Sequence, residues 1–201
     1  MDRSRIHGFT LMELMVVLAL ASIMVALAVP SMQQFARNNR LTTAANDMLH
    51  AVSLARTEAI KRQSSSVTVC ATTDPNAAET TLTCSYGAMS GWIVFADSMT
   101  AGTRGQFDRG VDEVLARGAA NSAVAVNNDN DGIVCFNQTG FQPPNCGGQV
   151  PMQRVVVCDR HWGTDALGTD SRARVVIITP TGRARVSRLQ ADVVASGVSC
   201  P

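Results

Sequence analysis

The sequence predicts an α+β fold in which a long N-terminal helix, one half membrane-spanning and the other amphipathic, packs on a small antiparallel β domain. Three observations predict it. Residues 9–29 form an apolar run of bilayer-spanning length; Leu41, Ala45, Met48, Val52, Ala55 and Ala59 recur at alternating four- and three-residue steps; and beyond Ser66 the pattern turns to short β-prone runs.

Within 9–29 only Thr10, Glu13 and Ser22 are polar and no proline intervenes, which meets the need for roughly 20 mostly apolar residues in a helical span. Eleven Leu, Val, Ile and Phe residues, at about 0.3–0.6 kcal/mol each, favour insertion by roughly 5 kcal/mol. A carboxylate at depth opposes this by about 2.5–3.5 kcal/mol. Insertion wins, but Glu13 consumes much of the margin. Arg3, Arg5 and His7 precede the run, and positive charge on that side holds the N-terminus in the cytoplasm and sends the rest across the membrane.

Pro30 removes a backbone donor and predicts a kink. Past it, the apolar positions from Leu41 to Ala59 share one helix face while Arg40, Asn46, Asp47, Arg56 and Lys61 fall elsewhere, the pattern of a helix that covers a core. "RQSSS", residues 62–66, ends it. The β-prone runs are 67–71, 92–96, 123–126, 133–136, 155–158, 173–179 and 183–189, separated by Gly, Asn, Asp and Pro.

The whole chain, 201 residues with 46% hydrophobic and 16% charged, has the composition of a folded protein, and its net charge of +1 excludes binding driven by the charge of the body as a whole. Any attraction to a polyanion must come from a local patch. All six cysteines, Cys70, Cys84, Cys135, Cys146, Cys158 and Cys200, follow the apolar run, in a part of the chain where an oxidising compartment lets them pair. Of the possible pairings the preferred one is local, Cys70 with Cys84 and Cys135 with Cys146, leaving Cys158 to tie down Cys200. No Cys-x-x-Cys or Cys/His spacing of a zinc site is present, and no metal or other cofactor is expected.

The basic leader 1–8 ends in Gly8 directly before "FTLMEL". An ordinary secretory signal would put its cleavage site after the apolar core instead. This order resembles the type IV prepilin signal, which implies cleavage between Gly8 and Phe9 by a prepilin peptidase, methylation of Phe9 and retention of the apolar helix. Further runs, "NNRLTTAANDMLHAVSLARTEAIKRQSSSVTVC", "GWIVFAD" and "DRGVDEVL", resemble the GspH/FimT branch of the pilin superfamily. The resemblance implies a leader at 1–8, a transmembrane and filament-core helix at 9–29, an amphipathic helix at 30–66 and a periplasmic or extracellular β-rich domain at 67–201. It also implies a single-pass protein of the bacterial inner membrane, extracted into a pilus or a type II secretion pseudopilus by an inner-membrane assembly machinery, with other pilin or pseudopilin subunits as partners. Glu13 is the fifth residue after the cut, where the family pairs a glutamate with the N-terminal amine of Phe9 on a neighbouring subunit. Ionisable groups within a membrane are functional by default.

The one strong charge cluster lies near the other end. "RARVVIITPTGRARVSR" carries Arg172, Arg174, Arg183, Arg185 and Arg188, with no acid between Asp170 and Asp192. "TPTG" suits a turn with Pro180 at its second position and Gly182 in the left-handed region. If Thr179 pairs with Gly182, then Ile178 faces Arg183, Val176 faces Arg185 and Arg174 faces Ser187, and Arg172, Arg174, Arg183 and Arg185 share one face. A slip of one residue breaks the grouping. Guanidinium forks match phosphate oxygens, and "GRAR" resembles the Gly-Arg-x-Arg motif of FimT-type minor pilins, which implies sequence-independent DNA capture by Gly182, Arg183 and Arg185 with the other three arginines in support. Against this, sixteen of the seventeen basic residues are Arg, and no aromatic residue interleaves the cluster to stack on bases.

"NNDNDG", 127–132, has the alternating oxygens of a calcium loop, but it starts on Asn127 and the closing position holds Gln138 rather than Glu. It reads better as an Asx-rich turn. Asp108, Asp112 and Glu113 fit a solvated turn, as do Asp159 and His161. No nucleophile elbow, phosphate-cradling loop or His-Glu-x-x-His motif occurs, and no enzymatic activity is expected.

Overall fold

The computed structural model describes residues 9–63, 65–85, 89–98, 102–160, 166–167 and 170–198, the side chains of 166–167 excepted. Helix α1, Leu11–Arg62, contains Pro30. Thr10 starts it: its Oγ1 accepts the Glu13 N–H at 3.2 Å, satisfying one of the orphan donors of a helix N-terminus. Gln63, at φ 49°, stops it in the left-handed region.

The chain forms two compact units, one ending at Asn39 and the other beginning at Arg40. In the first, α1 is long and apolar enough to cross a membrane by length and composition, with a mean hydropathy of 2.5 over a window of which 0% is buried. In the second, the same helix buries Leu41, Ala44, Ala45, Met48, Ala51, Val52, Ala55 and Ala59. The face read from the spacing is there, widened by Ala44 and Ala51.

The strands are β1 Ser66–Thr72, β2 Gly91–Asp97, β3 Glu113–Ala119, β4 Val124–Asn128, β5 Ile133–Phe136, β6 Arg154–Asp159, β7 Ala166–Leu167, β8 Asp170–Ile178 and β9 Ala184–Leu189, followed by a short helix α2, Gln190–Val194. They form two antiparallel sheets, β3-β2-β1-β5 and β4-β6-β8-β7, with β9 also paired to β8. Both sheets send alternate side chains to one core beneath α1: Val67, Val69, Val94, Val134 and Phe136 from the first, and Val124, Val126, Val155, Val157, Val176 and Ile178 from the second. Period-2 alternation makes this possible.

The opposite faces differ. On the first sheet Cys70, Ile93, Phe95, Ile133 and Cys135 are sealed by Leu82 and Cys146, by the expected disulfides Cys70–Cys84 and Cys135–Cys146, and by Phe107 edge-on to Phe95 at 5.4 Å. On the second sheet Val156, Cys158, Ala173 and Val175 are covered by Val193 of α2. Cys158 is disulfide-bonded; its expected partner, Cys200, lies outside the described residues.

Besides β7, at two residues too short to give a signal, three elements depart from the sequence expectation. The "DRGVDEVL" stretch is not only a turn, because from Glu113 it becomes edge strand β3, where Gly118 leaves the space that the Trp92 indole fills. α2 is too short to show periodicity. The third departure, the register of the β8–β9 hairpin, changes the candidate site.

Candidate functional site

The hairpin turn holds one residue more than expected. Thr179 pairs with Arg183 rather than Gly182, through Thr179 N–H to Arg183 O at 2.8 Å, while Gly182 N–H bonds Thr179 O at 2.8 Å. Gly182, at φ 75°, is the left-handed residue that closes a three-residue loop. In consequence Ile178 faces Ala184, Ile177 faces Arg185, Val176 faces Val186 and Val175 faces Ser187. The predicted pairs Ile178–Arg183, Val176–Arg185 and Arg174–Ser187 do not form, and the four-arginine face is broken by this slip.

The arginines divide between the two faces. Cross-strand partners point the same way, so Arg185 lies with Ile177, and Arg183 with Thr179, on the face of the second sheet turned away from the core. Arg174 is paired with the core residue Val157 and is only 5% exposed. Its guanidinium donates to the carbonyls of Arg172 and Ala173, each at 3.1 Å, and burial followed by the neighbouring charge of Arg188 pushes its pKa down. Arg172 is half-buried and Arg188 exposed. Arg183 and Arg185 are therefore the two residues of "GRAR" that meet solvent side by side.

Arg185 is not bare. Asp192 of α2 accepts from its Nη2 at 3.3 Å and from Ser187 Oγ at 2.6 Å, and the Ser187 hydroxyl, followed by the charges of Arg185 and Arg154, holds this carboxyl below its usual range. Gly182 serves the scaffold. A Cβ there would stand 2.1 Å from Gly140 O and 2.9 Å from Arg56 Nε, and Arg56 Nε itself donates to Gly140 O at 3.1 Å. The hairpin tip is thus pinned to α1 through the loop after β5.

The remaining polar motifs are used internally. In "NNDNDG", Asp129 Oδ1 accepts the Gln153 N–H at 2.9 Å and Asp131 Oδ2 the Val150 N–H at 2.7 Å, while Asn130 Nδ2 donates to Pro151 O at 3.1 Å. This is the Asx-rich turn of the sequence expectation, strapped to the segment before β6. Asp112 accepts from Ser98 N–H at 2.9 Å and Asp108 N–H at 2.8 Å, and Asp108 in turn caps Thr103 N–H. Asp97, buried at the end of β2, accepts Gly105 N–H at 2.6 Å, and desolvation raises its pKa to about 6. Glu113 is bonded by Arg62 Nη1 at 2.6 Å, and this guanidinium holds the carboxyl below its usual range. Gly8 and His161 lie outside the described residues; Phe9 and Glu13 are exposed.

The model of the family described as type II transport protein GspH matches residues 44–182, and that of the prokaryotic N-terminal methylation motif matches residues 3–29. Two crystal structures of the Pseudomonas aeruginosa type IV minor pilin FimU are similar. One has 16% identity over 79% of this chain and 96% of FimU, with a TM-score of 0.45; the other has 17% identity over 82% and 96%, with a TM-score of 0.47. None of the curated proteins matches significantly. With a GspH model running from within α1 at residue 44 to Gly182, over more than half of the chain, and a methylation motif ahead of it, the chain belongs to the GspH family of minor pilins and pseudopilins.

Proposed function

We propose that the chain is a structural subunit of a type IV pilus-type filament. It waits in the inner membrane with its N-terminus cytoplasmic and its β-rich domain periplasmic, is cut between Gly8 and Phe9 and methylated on Phe9, and is then extracted into the filament. The observation that carries this is the contrast along α1. Up to Asn39 its apolar side chains are exposed, Leu11 and Leu27 at 77% and 76%, whereas from Leu41 onward one face is buried. A surface this apolar needs lipid or other helices around it. Glu13 then serves as the docking group, paired with the Phe9 amine of a neighbouring subunit. The test is Glu13→Ala in cells: normal cleavage with strongly reduced incorporation into filaments is expected, and wild-type incorporation would remove the pairing role.

The arginines add a second activity to this subunit, DNA binding without sequence preference. The support is that Arg183 and Arg185 project from the same exposed face, where phosphates can reach them. A gel shift with the full chain in nonionic micelles should show retardation at low salt, with Arg183→Ala plus Arg185→Ala lowering the salt slope by about two. The other placement, a type II secretion pseudopilin with a purely assembly role, draws support from the GspH model match. A deletion strain scored for transformation and for secreted enzymes separates them: lost secretion with intact transformation favours the pseudopilus.

A further inference from the structure

We propose that the phosphate-binding face extends across three strands, with Arg154 of β6 joining Arg183 and Arg185, and that Asp192 is an internal competitor which a phosphate must displace from Arg185. The inference rests on the DNA-binding activity proposed above and adds to it one contact and one brake.

The register places Arg154. It faces Ile177 on β8, and Ile177 faces Arg185 on β9, so the three form one cross-strand row pointing away from the core. Neighbouring strands lie about 4.8 Å apart, which sets Arg154 and Arg185 about 10 Å apart across the row. α2 closes the row on one side, where Val193 covers Ala173 and Val175, while Ile177 stays half-exposed between the two arginines. Arg154 comes 29 residues before Arg183 in the chain, outside the "GRAR" motif.

Among the described residues, two acids face these arginines. Asp129 Oδ2 stands 3.8 Å from Arg154 Nη1, a loose contact, with its other oxygen committed to Gln153 N–H. Asp192 is held by the Ser187 hydroxyl independently of Arg185, and the charge of Arg154 acts on it as well. When Arg185 turns to a phosphate, Asp192 stays where it is, without its ion-pair partner and repelling the ligand. Its removal should therefore strengthen binding, an outcome that misfolding cannot mimic.

The test measures the affinity of the full chain, in nonionic micelles, for a short fluorescein-labelled DNA duplex of mixed sequence as a function of salt. Asp192→Asn, which keeps an acceptor for Ser187, should bind about two- to fivefold tighter, as expected on removing an exposed ion pair. Arg154→Gln should bind more weakly with a salt slope lower by about one, and Arg154→Lys should restore the slope. If Asp192→Asn is no tighter, or Arg154→Gln matches wild type, while Arg183→Ala plus Arg185→Ala still loses binding, the three-strand face is wrong and the hairpin activity stands. If wild type does not bind at low salt, both fall together.

Discussion

The two sheets share a core but turn opposite kinds of surface away from it. The first sheet presents Cys70, Ile93, Phe95, Ile133 and Cys135 to two disulfide-closed loops, and β2 and β5 are buried along their whole lengths. The second is covered at one end by Val193 of α2 and at the other leaves Ile177 half-exposed among Arg154, Arg183 and Arg185. One outer face is sealed, and the other is left partly open, with its arginines at the surface. The lesson is that covalent closure replaced a layer of secondary structure on the first sheet, while a helix of five residues replaced only half a layer on the second.

The sharpest way to break this division is to open the first face. Cys135→Ser with Cys146→Ser unties a bridge between residues 11 apart and should lower unfolding free energy by about 3 kcal/mol, read from the denaturant midpoint in micelles. Gly182→Ala attacks the scaffold of the second face, since a Cβ has no room beside Gly140 O and a positive φ is strained for alanine. A loss of about 2 kcal/mol is expected, with DNA affinity falling only as the hairpin loosens.

The third effect is smaller and depends on pH. Asp97, at about 6, has a folded pKa above its unfolded value of 3.8, so the folded state holds its proton more tightly and stability falls as pH rises through this window. Wild type should gain about 1 kcal/mol relative to Asp97→Asn between pH 7 and pH 5. A flat difference across that range would remove desolvation of Asp97 from the account. Smallest of all, Arg183→Ala plus Arg185→Ala should change stability by no more than about 0.5 kcal/mol. A larger loss would mean that the charged face also holds the fold together.

Much of this was legible beforehand, for identifiable reasons. The helix face from Leu41 to Ala59 repeats over five turns, and the strands buried on both faces read as continuous apolar runs. β3 was not legible, because an edge strand with no fully buried position and a glycine beneath Trp92 looks like the turn that precedes it. The candidate site was half legible. "GRAR" marks Arg183 and Arg185, but which side they face depends on whether the loop holds two or three residues, and that is decided by the left-handed Gly182. Arg154 gives no local signal; it sits at the start of "RVVVCD", and only the register across β8 brings it to the same row.

The contact from Arg56 through Gly140 to Gly182 ties the arginine-bearing hairpin to the helix that carries the core. Whatever fixes the azimuth of the helix from Arg40 onward therefore also aims the hairpin. In an array that repeats the unit beginning at Arg40 at a constant rise and rotation, the guanidinium groups would recur as a helical stripe, and, on the DNA-binding proposal, many weak contacts along one duplex would act as a single grip.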